Sequence, residues 1–293
     1  MDKAFEEQGD LCKWAEKNPD ERHKVRGKIT HPALAYDWAQ EFPEDRHIMR
    51  GRVRDDTFWW WLDIWPQDKE IILDQIRNNK LVFSWCEEHP EDRALVRDHI
   101  YEDRWVYEWA KKWPEDRDIM KKRIKGSRWA CKWALEWPED RHIMRGRVVE
   151  SEWVYWWAQK WPEDRNIMKK RIKVVKLAIL WAKKWPEDKR TMVKKVKSPG
   201  HAYMWALKLP KDRKLVIPIV AQDFRWIKEW LKVWPEDKKI MKNRIKDPKW
   251  AFEWIKNIGP DPDMLEVCKK DNNVYQKALD LILQGDKNRD KQR

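Results

Sequence analysis

The stretch WAKKWPEDRDIMKKRI, residues 109–124, decides how this chain folds. It returns as WALEWPEDRHIMRGRV at 133–148, WAQKWPEDRNIMKKRI at 157–172 and WAKKWPEDKRTMVKKV at 181–196. Marking each copy by its proline gives Pro19, Pro43, Pro66, Pro90, Pro114, Pro138, Pro162, Pro186, Pro210 and Pro235, with Pro260 in a degenerate eleventh copy. The steps are 24 residues, apart from one of 23 and two of 25. A fixed period in this range marks a stack of small units, none of which buries its apolar face alone.

With the proline as position 0, all of the first ten copies carry Trp at −5: Trp14, Trp38, Trp61, Trp85, Trp109, Trp133, Trp157, Trp181, Trp205 and Trp230. Apolar residues at −9, −5 and −1, such as Trp105, Trp109 and Trp113, are widened by Val106 and Ala110 into a broad stripe. That is helix A, buried on its own partner and on both neighbours. Proline fits a first helical turn and Glu-Asp suits its positive end, so helix B starts there, with Ile119, Met120 and Ile124 on one face. Helices of about ten residues are marginal alone, so the stack must stabilise them.

Composition agrees with helix: 39% charged residues, 25 Trp, but only eight Gly. The expected fold is all-α: an α-solenoid of about ten 24-residue two-helix repeats over 1–260 with a C-terminal capping helix. The cap spans 261–284, with VYQKALDLIL as a final helix ended by Gly285, and the tail 285–293 is expected to be disordered.

The array resembles the α-solenoid class that includes tetratricopeptide and HEAT repeats, although its period is shorter and neither consensus is present. KDPKWAFEWIKN and the recurring WPEDR resemble short degenerate helical repeats in proteins of large tailed phages. This resemblance implies no catalytic residues. It is consistent with a protein that sequesters a host nucleic acid or nucleotide signal, in a host cytoplasm if the source is viral.

Charge is unevenly placed. Lys+Arg against Asp+Glu runs 16 to 22 over residues 1–100, 27 to 15 over 101–200 and 21 to 14 over 201–293. An anionic partner is therefore expected on the middle and C-terminal part. Cys12, Cys86, Cys131 and Cys268 show no ligand spacing, and three of them fall where other copies hold apolar residues. They read as small core hydrophobes in a reducing compartment. No run of about 18 apolar residues occurs, so a soluble cytoplasmic protein without membrane contact is expected.

The Trp ladders at −5 and −1 read as core rather than as stacking platforms for bases. Arg or Lys at +3 (Arg46, Arg93, Arg117, Arg141, Arg165, Arg213) reads as a half-buried ladder, over Trp or paired with Glu-Asp of an adjacent copy. Two tryptophans break the pattern. Position −6 is polar or charged in most copies, yet Trp60 and Trp156 stand there, on the expected solvent side of helix A. Near Trp156 the outward positions are basic: Lys111, Lys112, Lys160, Lys183, Lys184 and Lys208, with Lys132. Helix B adds a second basic row: Lys121, Lys122, Arg123, Arg145, Arg147, Lys169, Lys170, Arg171, Lys194 and Lys195. Which row lines a concave side stays open.

No catalytic signature is present: the seven histidines are scattered, and there is no phosphate loop or nucleophile elbow. The expectation is a non-enzymatic binding protein without a cofactor or metal. Its basic, Trp-containing surface would engage nucleic acid or a nucleotide. The alternative is a protein-interaction scaffold, self-associating through its acidic and basic parts.

Overall fold

The computed structural model describes residues 3–55 and 57–290, with side chains for 6–55 and 57–284. The described residues are helical throughout, without strands, and form the expected α-solenoid repeats. They divide into two units, Met1–Val148 and Val149–Arg293. Helix A recurs as Pro32–Glu41, Phe58–Ile64, Asn79–Glu88, Asp103–Lys112 and Ser127–Glu136 in the first unit, after an opening helix Lys3–Lys17. In the second it recurs as Ser151–Lys160, Val175–Lys184, Pro199–Lys208, Phe224–Val233 and Pro248–Ile258.

Helix B is shorter than expected. In the fifth repeat Trp113 (φ −125°, ψ 84°) ends helix A, Pro114–Asp116 makes one 3₁₀ turn, and only Arg117–Met120 is α-helical. A residue before proline avoids the α region, so helix A must stop at −1. The tight turn then brings Asp116 back under Trp109, whose indole Nε1–H donates to its carboxylate at 3.0 Å. The aspartate expected at the positive end of helix B thus points into the core instead.

The same bond, from Trp at −5 to Asp at +2, joins Trp38 to Asp45 at 3.1 Å, Trp61 to Asp68 at 3.0 Å, Trp85 to Asp92 at 2.9 Å and Trp133 to Asp140 at 3.0 Å. In the second unit it joins Trp157 to Asp164 at 2.9 Å, Trp181 to Asp188 at 3.0 Å and Trp230 to Asp237 at 3.1 Å. Rungs are missing in three repeats: Trp14 is partly exposed and has Glu21 rather than Asp at +2, and the buried indole nitrogens of Trp205 and Trp254 have no partner. In the ninth repeat the 3₁₀ turn continues over Pro210–Val216, and Asp212 stays half-buried against Lys189 at 2.6 Å. In the eleventh, Asp261 is taken up as the N-cap of Pro262–Cys268.

A buried carboxylate needs cations, and the preceding repeat supplies them. Asp116 accepts from Arg97 at 3.1 Å and pairs with Arg93 at 3.2 Å, from positions +7 and +3 of the fourth repeat. Arg26 and Arg22 do the same for Asp45, Arg50 and Arg46 for Asp68, and Lys169 and Arg165 for Asp188. The +3 cations therefore form the predicted ladder. Burial pushes the Asp45 carboxyl up, but the Trp38 indole and the Arg26 and Arg22 guanidiniums outweigh it and hold it below its ordinary range. Asp188 is lowered in the same way, by Trp181, Lys169 and Arg165 against burial.

The indoles at −5 and −1 stack within each repeat, with centroids 4.4 Å apart for Trp109 and Trp113 and 4.1 Å for Trp157 and Trp161. Position −7 packs an aromatic against the next repeat, as Phe83 does on Trp105 and Trp113, both at 5.3 Å. Trp38, Trp61, Trp109, Trp133, Trp157, Trp181, Trp205 and Trp230 are fully buried. Removing about 150–250 Å² of indole from water contributes roughly 4–6 kcal/mol gross, far more than helix propensity offers a ten-residue segment. The stack holds the helices.

A polar residue at −11 supports the next connection. Asp103 accepts from the Lys125 N–H at 2.8 Å and the Gly126 N–H at 2.6 Å, and Gln8, Asp55, Asn79 and Ser151 act alike. The last helix, Asn272–Asp290, runs past Gly285, where the sequence suggested an end. The expected disordered tail from 285 is therefore helical through Asp290, and 291–293 lie outside the described residues. A following Gly favours a helix end by taking a left-handed turn, and among the described residues Gly259, at 126°, is the glycine with positive φ.

Candidate functional site

The outward face of helix A carries positions −6, −3 and −2. Across neighbouring repeats, −3 of one meets −2 of the next: Glu87 takes Lys112 at 3.1 Å, Lys111 reaches Glu136 at 3.6 Å, and Lys184 donates to Gln159 at 3.0 Å. The register follows from stacking like units side by side, and it sorts the predicted lysines. Lys111, Lys112 and Lys184 are occupied by these neighbours. Lys132 lies 4.3 Å from the Trp129 ring centroid. Lys160, Lys183 and Lys208 are exposed and form no ion pair among the described residues.

Lys183 at −3 and Lys208 at −2 are successive members of this register, in the eighth and ninth repeats. Two like charges stand where the junctions of the fourth to sixth repeats place a complementary pair. Exposed apolar side chains flank them: Leu180 at −6, Leu207 at −3 and Val233 at −2.

The two tryptophans at −6 differ from each other. Trp60 is 55% exposed, with the Tyr36 ring 6.0 Å away. Trp156 is half-buried, not on the solvent side as expected. Its ring meets Trp161 edge-on at 5.8 Å and Trp153 at 6.2 Å, because −9 and −1 are both indoles in that repeat and draw it inward.

Most of the second basic row has partners within the array. Lys121 binds Asp118 and Asp140 at 2.6 and 3.2 Å, and Lys169 binds Asp188 at 2.9 Å. Position +9 reaches back to carbonyls ending helix B of the preceding repeat: Arg123 to those of Arg97 and Ile100 at 2.6 and 2.9 Å, Arg147 to that of Lys121, and Lys195 to that of Lys170 at 3.1 Å. Carbonyls at a helix end lack intrahelical donors, so a cation there satisfies both hydrogen bonding and the macrodipole. Burial lowers the Arg147 and Arg52 pKa values from that of a free guanidinium. Arg145 and Arg171 are half-buried and also engaged. Lys122, Lys170 and Lys194 remain exposed.

The structure adds cations that the row-by-row reading missed. Arg190, Lys211 and Lys214 line a concavity between the second arms of the eighth and ninth repeats, together with Glu187, Lys189 and Asp212. The signal was in the sequence: Lys211 replaces the usual glutamate at +1, and Arg190 and Lys214 occupy +4, where the fifth to seventh repeats hold Asp118, His142 and Asn166. Among residues 149–293, 35 Lys+Arg stand against 20 Asp+Glu.

No protein-family model, curated protein or solved structure matches this chain. Among the described residues no group of three or more His, Cys, Asp and Glu is placed to hold a metal ion. No helix among the described residues is long and apolar enough to cross a membrane.

Proposed function

We propose that this is a non-catalytic binding protein whose second unit grips a polyanion, nucleic acid or a nucleotide being the favoured class. The observation that carries this is the junction of the eighth and ninth repeats. Lys183 and Lys208 stand there without carboxylate partners, and the same two repeats present Arg190, Lys211 and Lys214 on their second arms. Where cations serve the fold, as Lys121, Arg147 and Lys169 do, the array gives each an acceptor. Unpaired cations gain most from a ligand that brings phosphates and releases its counterions.

The test is fluorescence anisotropy of a labelled single-stranded oligonucleotide with the full chain across a salt series. With three to five phosphates engaged, log Kd should rise against log salt with a slope of about 2–4. The variant Lys183→Glu/Lys208→Glu should bind at least about tenfold more weakly, whereas Lys112→Glu, which alters a lysine already paired with Glu87, should bind nearly as well. Salt-independent binding, or none, defeats this function. A second function, docking an acidic amphipathic protein, is favoured by Leu180, Leu207 and Val233 beside the lysines. It predicts retention of such a partner by the oligonucleotide-silent protein and its loss from the same variant.

A further inference from the structure

In six of the repeats a tryptophan stands at −1, and Trp65, Trp113, Trp137, Trp185 and Trp234 close the groove against the −7 aromatic of the preceding repeat. In the fourth repeat His89 holds that place, and a cavity lies beside it, walled by Trp59, Leu62, Trp85 and His89 and rimmed by Asp63 and Glu88. The rings form a continuous aromatic wall. Trp59 and Trp85 have centroids 4.9 Å apart at 47°, and His89 stacks on Trp85 at 4.0 Å and 29°. Imidazole is smaller than indole, so the wall keeps its stack while the groove keeps room.

The rim differs in charge from the two junctions that follow it. Asp63 is at −3 of the third repeat and Glu88 at −2 of the fourth, the register that Glu87–Lys112 and Lys111–Glu136 fill with opposite charges. Here both places are acidic, both side chains are exposed, and neither forms an ion pair among the described residues. The one lysine in the lining, Lys69, is bound at 2.7 Å to Asp92, which also accepts the Trp85 indole at 2.9 Å. Three carboxylates therefore face one ammonium. The junction of the first and second repeats shows the same combination in lesser form: Phe42 at −1, and a smaller cavity with Glu16, Asp37 and Glu41 in its lining and no basic residue.

We propose that the groove between the A helices of the third and fourth repeats binds an organic cation, an alkylammonium or guanidinium group, seated on the indole wall between Asp63 and Glu88. Aromatic faces attract such cations through their quadrupole, and two uncompensated carboxylates supply the opposite charge. The three carboxylates are not grouped closely enough to hold a bare metal ion, and the rim repels anions. This site lies in the first unit and stands independently of polyanion binding by the second.

The experiment uses the full chain with indole nitrogens labelled for NMR. It is titrated with choline, with its neutral isostere 3,3-dimethylbutan-1-ol, and with the capped amino acid N-acetyl-arginine methylamide. Choline or the capped arginine should shift the Trp59 and Trp85 indole signals saturably, and the neutral alcohol should bind at least about tenfold more weakly. Tighter binding of choline assigns the site to a free small cation, and tighter binding of the guanidinium assigns it to a partner's arginine. His89→Trp restores the residue that closes the groove elsewhere, so it should fold and lose binding. Asp63→Asn/Glu88→Gln, which alters two exposed groups, should weaken binding by about tenfold or more. Equal binding of the neutral alcohol, or unchanged binding by His89→Trp, overturns the site.

Discussion

Replacing Asp116 by alanine tests the ladder at its centre, and Asp212→Ala is an internal control at the equivalent position. Asp116 is almost wholly buried, accepts the Trp109 indole at 3.0 Å and binds Arg97 and Arg93 at 3.1 and 3.2 Å. Truncation strands one buried indole N–H, at a cost of about 1–3 kcal/mol. It also removes charge-assisted bonds to two guanidiniums that water reaches in part, so their loss adds roughly 1 kcal/mol. The expected total is about 2–4 kcal/mol. At Asp212 the Trp205 indole is already without a partner, and only the Lys189 pair at 2.6 Å is lost, between two partly exposed side chains. That is expected to cost at most about 1 kcal/mol. Urea unfolding, with exchange of the Trp109 indole proton as a local readout, separates the two. Exchange should quicken by ten- to a thousandfold in Asp116→Ala, as that free-energy range implies. Equal destabilisation by the two variants would refute the idea that the buried indole–carboxylate bond fastens each hairpin.

Acid should loosen the same ladder. The carboxyl pKa values of Asp45 and Asp188 are depressed in the folded chain, so their contribution is fully present above the unfolded value of about 3.9 and fades as pH falls through the folded values. Circular dichroism on acid titration should show this loss only below about pH 4, and a ladder lost near neutrality would contradict it. Gly126→Ala places a Cβ 2.7 Å from the Asp103 oxygen that accepts the Gly126 N–H, and should destabilise by about 1–3 kcal/mol in urea unfolding. Gly146→Ala, in a helix with nothing near its Cβ, should instead stabilise by about 0.5–1 kcal/mol. Burial pushes the Cys86 thiol up to about 12 and, with Asp37 and Glu16 nearby, the Cys12 thiol up to about 11. At pH 8 a thiol reagent should therefore label the native chain slowly and all four cysteines quickly in denaturant, and rapid native labelling would contradict this burial.

The consequence for function is a division of the cations into two populations. Arg93, Arg97, Lys121 and Arg147 hold repeat to repeat, and removing them should cost stability before it costs binding. Lys160, Lys183 and Lys208 are spare and should behave in the opposite way.

Trp14, expected in the core, is 36% exposed and Trp137, Trp161 and Trp185 are only half-buried, but the sequence by itself determined the repeat, the two-arm unit, the buried −5 indoles from Trp38 onward and the half-buried ladder of +3 cations. Each is a matter of period, side-chain size or the fixed geometry of proline, all local quantities that recur in step. Tertiary structure alone decided which lysines are spare, because that depends on what stands one repeat away: Lys112 meets Glu87, while Lys208 follows Lys183. It also decided that Asp116 enters the core, since a 3₁₀ turn and an α turn of the same residues aim that side chain differently. The groove beside His89 was invisible for the same reason. A missing indole opens space only where the neighbouring helix supplies Trp59 and a second carboxylate to line it.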